Sequence, residues 1–388
     1  MRIIGIMSGT SYDGIDVASA DIDRDGDTLT LRPLGAFTLP HPDRVRDLVT
    51  SVLPPRSTTV AAITELDTAL GQAFADAAKR AIAEHADGQA DLIVSHGQTV
   101  FHWVEDGRAL GTLQLGQPAW IAEATNTPVL SDLRSADIAA GGQGAPLVPI
   151  FDALLLPRTD EPRAALNLGG IANLTVIPPD GPILGYDVGP ANALIDAASL
   201  ALLGDPFDRD GAVAAAGTVD ADLLRLLLSE PYYNRPAPKS TGKELFNDAY
   251  LTAHISTSPA AGRPADVIAT VTELAAVTIA RESDQHDVSA LIASGGGTHN
   301  STLMARLRHH LDEGRTLSTI DEFGIGVDEK EAYAFAVLGY LSWHGIPGVI
   351  ESVTGADAAS VLGRLTMTPT TPRPPAEAFT PPSELRIV

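Results

Sequence analysis

Two carboxylates stand where proton transfer could be done. Asp187 lies in Gly185-Tyr186-Asp187-Val188-Gly189-Pro190-Ala191-Asn192, at the end of an apolar strand signal with a helix signal directly behind it. A side chain there points into an interdomain crevice, and a carboxylate desolvated in such a place can act as a general base toward a hydroxyl or a water. The competing role is that of helix N-cap. Pro190 and Asn192 stand nearer the helix start and can serve there, which leaves Asp187 for chemistry. Glu331, in Val327-Asp328-Glu329-Lys330-Glu331-Ala332-Tyr333, opens an apolar helix. It reads equally as a second acid–base group and as a complement to the helix dipole.

Three glycine-rich turns follow strand signals. The first is Ser8-Gly9-Thr10-Ser11-Tyr12-Asp13-Gly14-Ile15-Asp16, and the others are Asn167-Leu168-Gly169-Gly170-Ile171-Ala172-Asn173 and Ser294-Gly295-Gly296-Gly297-Thr298-His299-Asn300. Glycine lets backbone N–H groups approach an anion closely, and neighbouring hydroxyls add donors. The first turn lacks the lysine of a Walker A loop and runs into a strand instead of a helix. The nearest lookalike, Ser240-Thr241-Gly242-Lys243-Glu244, has neither the earlier glycine nor the hydroxyl after the lysine. Each turn alone reads as well as a plain tight turn. Two hairpins and one glycine run opening a helix, all at the same kind of position, predict a nucleotide clamp with the hairpins on phosphate and the last turn on adenosine.

Polar groups crowd a third region, Ser131 to Leu147, which holds Asp132, Arg134 and Asp137 among glycines just after a strand. They are poor core material and so candidate pocket lining; an ion pair of Arg134 with Asp132 or Asp137 that merely holds the loop is the competing reading. His96 and His102, in Ser95-His96-Gly97-Gln98-Thr99-Val100-Phe101-His102, read as pocket groups or as structural histidines. No His/Glu spacing typical of a zinc site is present.

The elements that must position these groups alternate between strand and helix, which predicts an α/β fold with internal sheets. Ile3–Met7, Val17–Ile22 and Leu29–Phe37 read as consecutive strands, followed by a helix over about Ser57 to Glu84. Leu92–Ser95 reads as a short buried strand ending in the polar turn His96-Gly97-Gln98; a helix at Trp120–Ala124 and a strand at Val129–Ser131 follow. The order begins again with strands Ala164–Asn167, Leu174–Ile177 and Ile183–Asp187. Helices at Ala191–Leu203, Asp220–Leu228 and Val267–Arg281 precede the strand Ala290–Ser294. The likeness between the halves is one of element order, without a residue-level repeat. Ala139 to Pro149, rich in Gly and Pro, is a natural boundary, and the Pro/Thr-dense run Thr368 to Pro382 predicts an extended path over the surface.

Composition bounds the rest. A chain of 388 residues suggests two domains, and 44% hydrophobic with 19% charged residues is the make-up of a soluble globular protein. No apolar run approaches the ~18 residues of a membrane span. Residues 1 to 8 hold one basic residue and a very short apolar stretch, which argues against a secretory signal, and the absence of cysteine fits a reducing compartment. The expectation is a cytoplasmic protein. A net charge of −23 argues against nucleic acid or an anionic membrane as partner, so a phosphate ligand must be held by backbone dipoles, a divalent cation and a few placed side chains.

Taken together, the ordered motifs Ile6 to Asp16, Ser95 to Thr99, Ala139 to Pro149, Asn167 to Thr175, Gly185 to Asn192, Lys239 to Asn247 and Ser294 to Gly297 resemble the anhydro-N-acetylmuramic acid kinase family over nearly the whole chain. Tyr12 departs from it, standing where an aliphatic residue would be expected. The resemblance implies an enzyme of the actin, hexokinase and Hsp70 superfamily: two related actin-like (ribonuclease H-like) domains, each with a central mixed sheet, around an interdomain ATP cleft. It implies domains at 1–140, with a C-terminal segment of about 352–388 packing back, and at 141–351. It further implies Asp187 as catalytic base, ATP on Gly9, Thr10, Ser11, Tyr12, Asp13, Gly14, Ile15, Asp16, Asn167, Gly169, Gly170, Gly295, Gly296 and Gly297, and Mg²⁺ bound through water by Asp13. The amino sugar would meet His96, Gln98, Arg134, Asp137 and Glu331, and the protein would be a homodimer. The implied reaction opens the 1,6-anhydro ring with water and phosphorylates O6, in recycling of cell-wall peptidoglycan. A glycosidase using Asp187 and Glu331 as a carboxylate pair, and a non-catalytic ATP-switched protein, are the alternatives.

Overall fold

The computed structural model describes residues 1–9, 12, 14–242, 244–256, 258–370 and 381–388, so Thr10, Ser11, Asp13, Lys243 and most of the Pro/Thr-dense run lie outside the described residues. The chain divides into two units: 1–157 with 323–325 and 329–388, and 158–322 with 326–328. The Gly/Pro-rich run at 139–149 lies inside the first unit, and the change of unit comes at Pro157 and Arg158. Residues 329–351 also belong to the first unit, whereas the domain at 141–351 that the resemblance implies includes them.

In the first unit, Arg2–Ser8 (β1), Gly14–Asp25 (β2) and Thr28–Pro40 (β3) form an antiparallel meander. Leu92–Glu105 (β4) lies parallel to β1 on its other side, Val129–Ser131 (β6) parallel to β4 beyond it, and Arg108–Leu115 (β5) pairs the far half of β4. In the second unit, Arg163–Leu168 (β7), Ile171–Ile177 (β8) and Leu184–Pro190 (β9) form a second meander, and Ala290–Ser294 (β10) and Thr316–Thr319 (β11) join parallel on the other side of β7. Leaving β5 aside, both sheets therefore run third, second, first, fourth, fifth. The same mixed order twice agrees with the repeated element order read in the sequence and with the actin-like, ribonuclease H-like pair that the family resemblance implies. Arg364–Thr366 (β12) and Glu384–Ile387 (β13) then cap the two edges of the first sheet, against β6 and β3.

One expectation fails here. The strand opening at Leu92 does not end at Ser95 but runs to Glu105: His96 and Gly97 fall in the register shift between the pairs Ile6–Ser95 and Ser8–Gln98, and from Gln98 on β4 takes β5 as partner. The polar residues read as a turn are a strand interior facing other polar groups.

Helices cover both faces of the first sheet and pack on one face of the second. On one face of the first, the helix Val60–His85, capped by the Thr59 hydroxyl accepting from Ala62 N–H, buries Leu66, Leu70 and Phe74 against Ile4, Ile6, Ile15 and Val17. The helix Lys330–Trp343 packs against β1, β2 and β4 and buries nearly all its residues. It lies so close that a Cβ on Gly5 would fall 2.0 Å from the Ala332 carbonyl oxygen, and one on Gly339 would fall 2.1 Å from Val94 Cγ2. Only glycine admits a helix backbone at that separation. In the second unit the helices Pro264–Gln285 and Ser301–His310 cover the β7–β10 sheet with Ala275, Ala276, Ile279, Leu303 and Leu307.

Candidate functional site

In the first unit the Gly9–Gly14 turn connects β1 to β2 and is braced from beneath. Gln98, fully buried in β4, donates through Nε2 to the Gly9 carbonyl at 3.0 Å and accepts from the Ser8 hydroxyl at 2.7 Å; that hydroxyl also lies 2.9 Å from His41 Nε2. Tyr12 takes a left-handed backbone (φ 46°), and its N–H reaches back to the Gly9 carbonyl at 3.1 Å. A non-glycine residue in that region is uncommon and marks a turn held by its surroundings. Asp16, at the base of the turn, accepts from the Thr38 hydroxyl at 2.6 Å. Gln98 thus supports the turn.

His96 and Arg134 form a directed pair. The Arg134 guanidinium can only donate, so its 2.9 Å bond from Nε makes His96 Nε2 the acceptor, and the ring proton sits on Nδ1, 2.7 Å from the Gly97 carbonyl. Burial, aided by the Arg134 charge, pushes the His96 imidazole down to about 3, so the ring is neutral. Arg134 also donates to the Gly144 carbonyl at 2.7 Å; burial lowers its guanidinium to about 10, opposed by Glu331 and Asp137. Asp137 is fully buried, and its two oxygens accept from Gly144 N–H and the Thr354 hydroxyl, both at 2.7 Å. It shapes the glycine loop that Arg134 grips. Glu331, in the first turn of the Lys330–Trp343 helix, is raised above the ordinary carboxyl range by burial, against the pull of Lys330 and Arg134. Its neighbour Lys330 is neutralised by Asp152 at 2.6 Å. His102 lies apart, exposed on the outer half of β4.

The second unit gathers two of the three glycine turns. Gly169 and Gly170 link β7 to β8, and their carbonyls accept N–H groups of Ala191, Asn192 and Ala193 at the start of the helix Asn192–Leu203. The glycine run begins where β10 ends: Gly295 has φ 86°, and a Cβ there would lie 2.6 Å from Asn167 Oδ1, while one on Gly297 would lie 2.7 Å from Leu168 Cβ. The run forms a short 3-10 turn, Gly296–His299, before the helix Ser301–His310.

Asp187 is presented by a bulge. Asn173 faces Asp187 and Ala172 faces Gly189, which leaves Val188 as the extra residue of β9. Such a kink re-aims the side chain beside it. Asp187 Oδ1 accepts from Asn173 Nδ2, and Oδ2 accepts from the Ser240 hydroxyl at 2.8 Å and Thr241 N–H at 2.9 Å. Burial pushes the carboxyl above its usual range; the three donors oppose that rise and the Glu244 charge adds to it. A partly desolvated carboxylate held by fixed donors suits a general base. The sequence reading missed Ser240 and Thr241 as its partners. The two residues read there as part of a failed phosphate loop and of the family-like run Lys239 to Asn247, and their distance along the chain from Asp187 hides the contact of the Ser240 hydroxyl and the Thr241 N–H.

Among the described residues, no group of three or more His, Asp or Glu converges as a metal site, and no helix is long and apolar enough to cross a membrane.

The model of one family, anhydro-N-acetylmuramic acid kinase, matches residues 1–368. Proteins named anhydro-N-acetylmuramic acid kinase are 53% identical in Streptomyces coelicolor, over 100% of this chain and 99% of that one, and 56% identical in Rhodococcus erythropolis, over 94% of each. A relative of the same name in Salinibacter ruber is 42% identical over 94% of this chain and 96% of its own. With its doubled sheet order and its full set of motifs, the chain belongs to the anhydro-N-acetylmuramic acid kinase family.

Proposed function

We propose that Asp187 is the single base of an ATP-dependent sugar kinase that opens the 1,6-anhydro ring of anhydro-N-acetylmuramic acid and phosphorylates O6, in recycling of cell-wall peptidoglycan. The observation that carries this reading is the bulge-presented, partly desolvated Asp187 carboxylate with donors on both oxygens. Asp187 takes a proton from the water that attacks the anomeric carbon. The bond from that carbon to O6 breaks, O6 attacks the γ-phosphorus, the bond to the β-phosphate oxygen breaks, and N-acetylmuramic acid 6-phosphate and ADP leave with the proton. Glu331 and the neutral His96 beside Arg134 bind the sugar, and Asp137 fixes their loop. Gly9 to Asp16, Asn167, Gly169, Gly170 and Gly295 to Gly297 take the nucleotide through backbone N–H groups and close glycine surfaces.

Mg²⁺ enters with ATP, and the residues present fit it. Asp16, which accepts from the Thr38 hydroxyl, supplies one carboxylate, Asp13 lies outside the described residues, and an ion of this kind takes most of its ligands from phosphate and water. When bound it neutralises charge on the phosphate oxygens. The enzyme works in the cytoplasm, where ATP is available. It acts as a homodimer, for which the β4–β5 ribbon offers an apolar face: Phe101 opposite Leu113 and Trp103 opposite Gly111, with Phe101, Trp103 and Leu113 exposed.

One assay decides among the alternatives. The protein is incubated with the anhydro sugar, Mg²⁺ and γ-labelled ATP; labelled sugar phosphate is the expected product. Ring opening without ATP would establish a glycosidase instead, and ADP without sugar product would establish a nucleotide switch.

A further inference from the structure

Behind Asp187 lies an ion pair that the reaction above does not use. Lys239 Nζ stands 2.5 Å from Glu282 Oε1, with both side chains almost wholly buried, 3% and 7% exposed. Lys239 also donates to the Tyr233 carbonyl at 3.3 Å and lies over the rings of Tyr186 and Tyr232. The Tyr186 hydroxyl donates its only proton to Glu282 Oε2 at 3.0 Å, so His286 Nε2, 2.9 Å from the same hydroxyl, is the donor to it. The cluster joins one short run of chain through Lys239. The Lys239 carbonyl accepts Asp187 N–H at 3.0 Å, and the next two residues supply the Ser240 hydroxyl and Thr241 N–H that hold the Asp187 carboxylate. The Tyr232 hydroxyl closes the circuit on the Asp187 carbonyl at 2.6 Å.

We propose that the buried Lys239–Glu282 pair is a positioning clasp for Asp187: it pins residues 239–241 so that Ser240 and Thr241 aim their donors at the Asp187 carboxylate. The proposal rests on the reading of Asp187 as the base. Two buried charges are a poor device for stability alone, since apolar residues of similar size often do as well. Here the pair fixes a loop on the helix Pro264–Gln285, an element that presents no group of its own to the Asp187 carboxylate. Titratable groups around Asp187 are Tyr186 from β9, Tyr232 from the preceding 3-10 turn, Lys239 and Glu244 from the loop, and Glu282 and His286 from the helix side.

The full-length enzyme is tested as Lys239→Met, as Glu282→Gln, as the two combined, and as Ser240→Ala. The combined variant leaves no unpaired buried charge, and Ser240 is exposed, so both retain the fold where the single clasp variants fail. For the combined variant kcat is expected to fall about 10²-fold, the cost of a misplaced catalytic group, with KM for ATP within about twofold of wild type. Loss of donors to the ionised form raises the carboxyl, so the acid limb of kcat moves to higher pH in the combined variant and in Ser240→Ala. Ser240→Thr, which keeps a hydroxyl, restores the limb. An unmoved acid limb in Ser240→Ala and the combined variant, or a loss confined to KM, overturns the clasp. Turnover by Asp187→Asn overturns the base itself, whereas an inactive Asp187→Asn beside unaffected clasp variants overturns the clasp alone.

Discussion

The Asp187 carboxyl and the His96 imidazole are pushed in opposite directions by the same cause. Burial disfavours the charged form of each, raising the acid and lowering the base. In the role proposed for Asp187 the working form is the ionised one, so turnover is expected to fall as pH drops through its raised value, with the acid limb of kcat above the ordinary carboxyl range of about 4. For His96 the neutral ring is the working form, because Arg134 needs Nε2 as an acceptor. Its imidazole resonances should therefore show no titration between about pH 5 and 8, the range where an unperturbed histidine changes charge. A His96 titrating near pH 6 by nuclear magnetic resonance would show that Arg134 does not hold it. Asp187 stood out in the sequence by its residue type and by a strand read as ending on it; β9 instead runs on to Pro190, because the bulge at Val188 carries the ladder past Asp187. The roles of Gln98 and Asp137 were not, because both face inward to loops that only the folded sheet brings to them.

Elements set those residues by how closely they pack. Gly5 lets the Lys330–Trp343 helix lie on β1, and that helix carries Glu331 in its first turn. Gly5→Ala drives a methyl into a backbone carbonyl, which a side-chain rotation cannot relieve. We expect a loss of about 1–3 kcal/mol in urea unfolding, with a raised KM for the sugar as Glu331 shifts. Unchanged stability would mean that the helix is free to move outward. Periodicity found the elements whose signal is local: Ala290–Ser294 is a strand over those five residues, and the long helix after Ser57 spans Val60–His85. It did not find β5 or the outer half of β4, where exposed Phe101, Trp103 and Leu113 break the usual inward pattern. Nor could it assign the Lys330–Trp343 helix to the first unit, since the fit of Gly5 against Ala332 joins positions more than three hundred residues apart.

At the scale of the whole molecule the dominant quantity is a net charge of −23. Like charges repel in the compact state, and salt screens them over about 8 Å at physiological ionic strength. Added NaCl should therefore raise Tm by a few degrees over the first ~0.2 M, and a falling Tm over that range would show that attractive pairs such as Arg2–Asp21 outweigh the net repulsion. On the proposed nucleotide reading the acidity bears on the glycine-rich turns as well: at −23, a few placed donors must hold an anion that the remaining surface repels. The most direct test of the account is the turnover of Asp187→Asn with the anhydro sugar, Mg²⁺ and γ-labelled ATP, read beside nucleotide binding by the same preparation. We predict neither ring opening nor labelled sugar phosphate, with ATP affinity within about twofold of wild type, since removal of a general base costs about 10²–10⁴ in rate and touches no nucleotide contact. Ordinary turnover by Asp187→Asn would contradict the assignment of one base to both events.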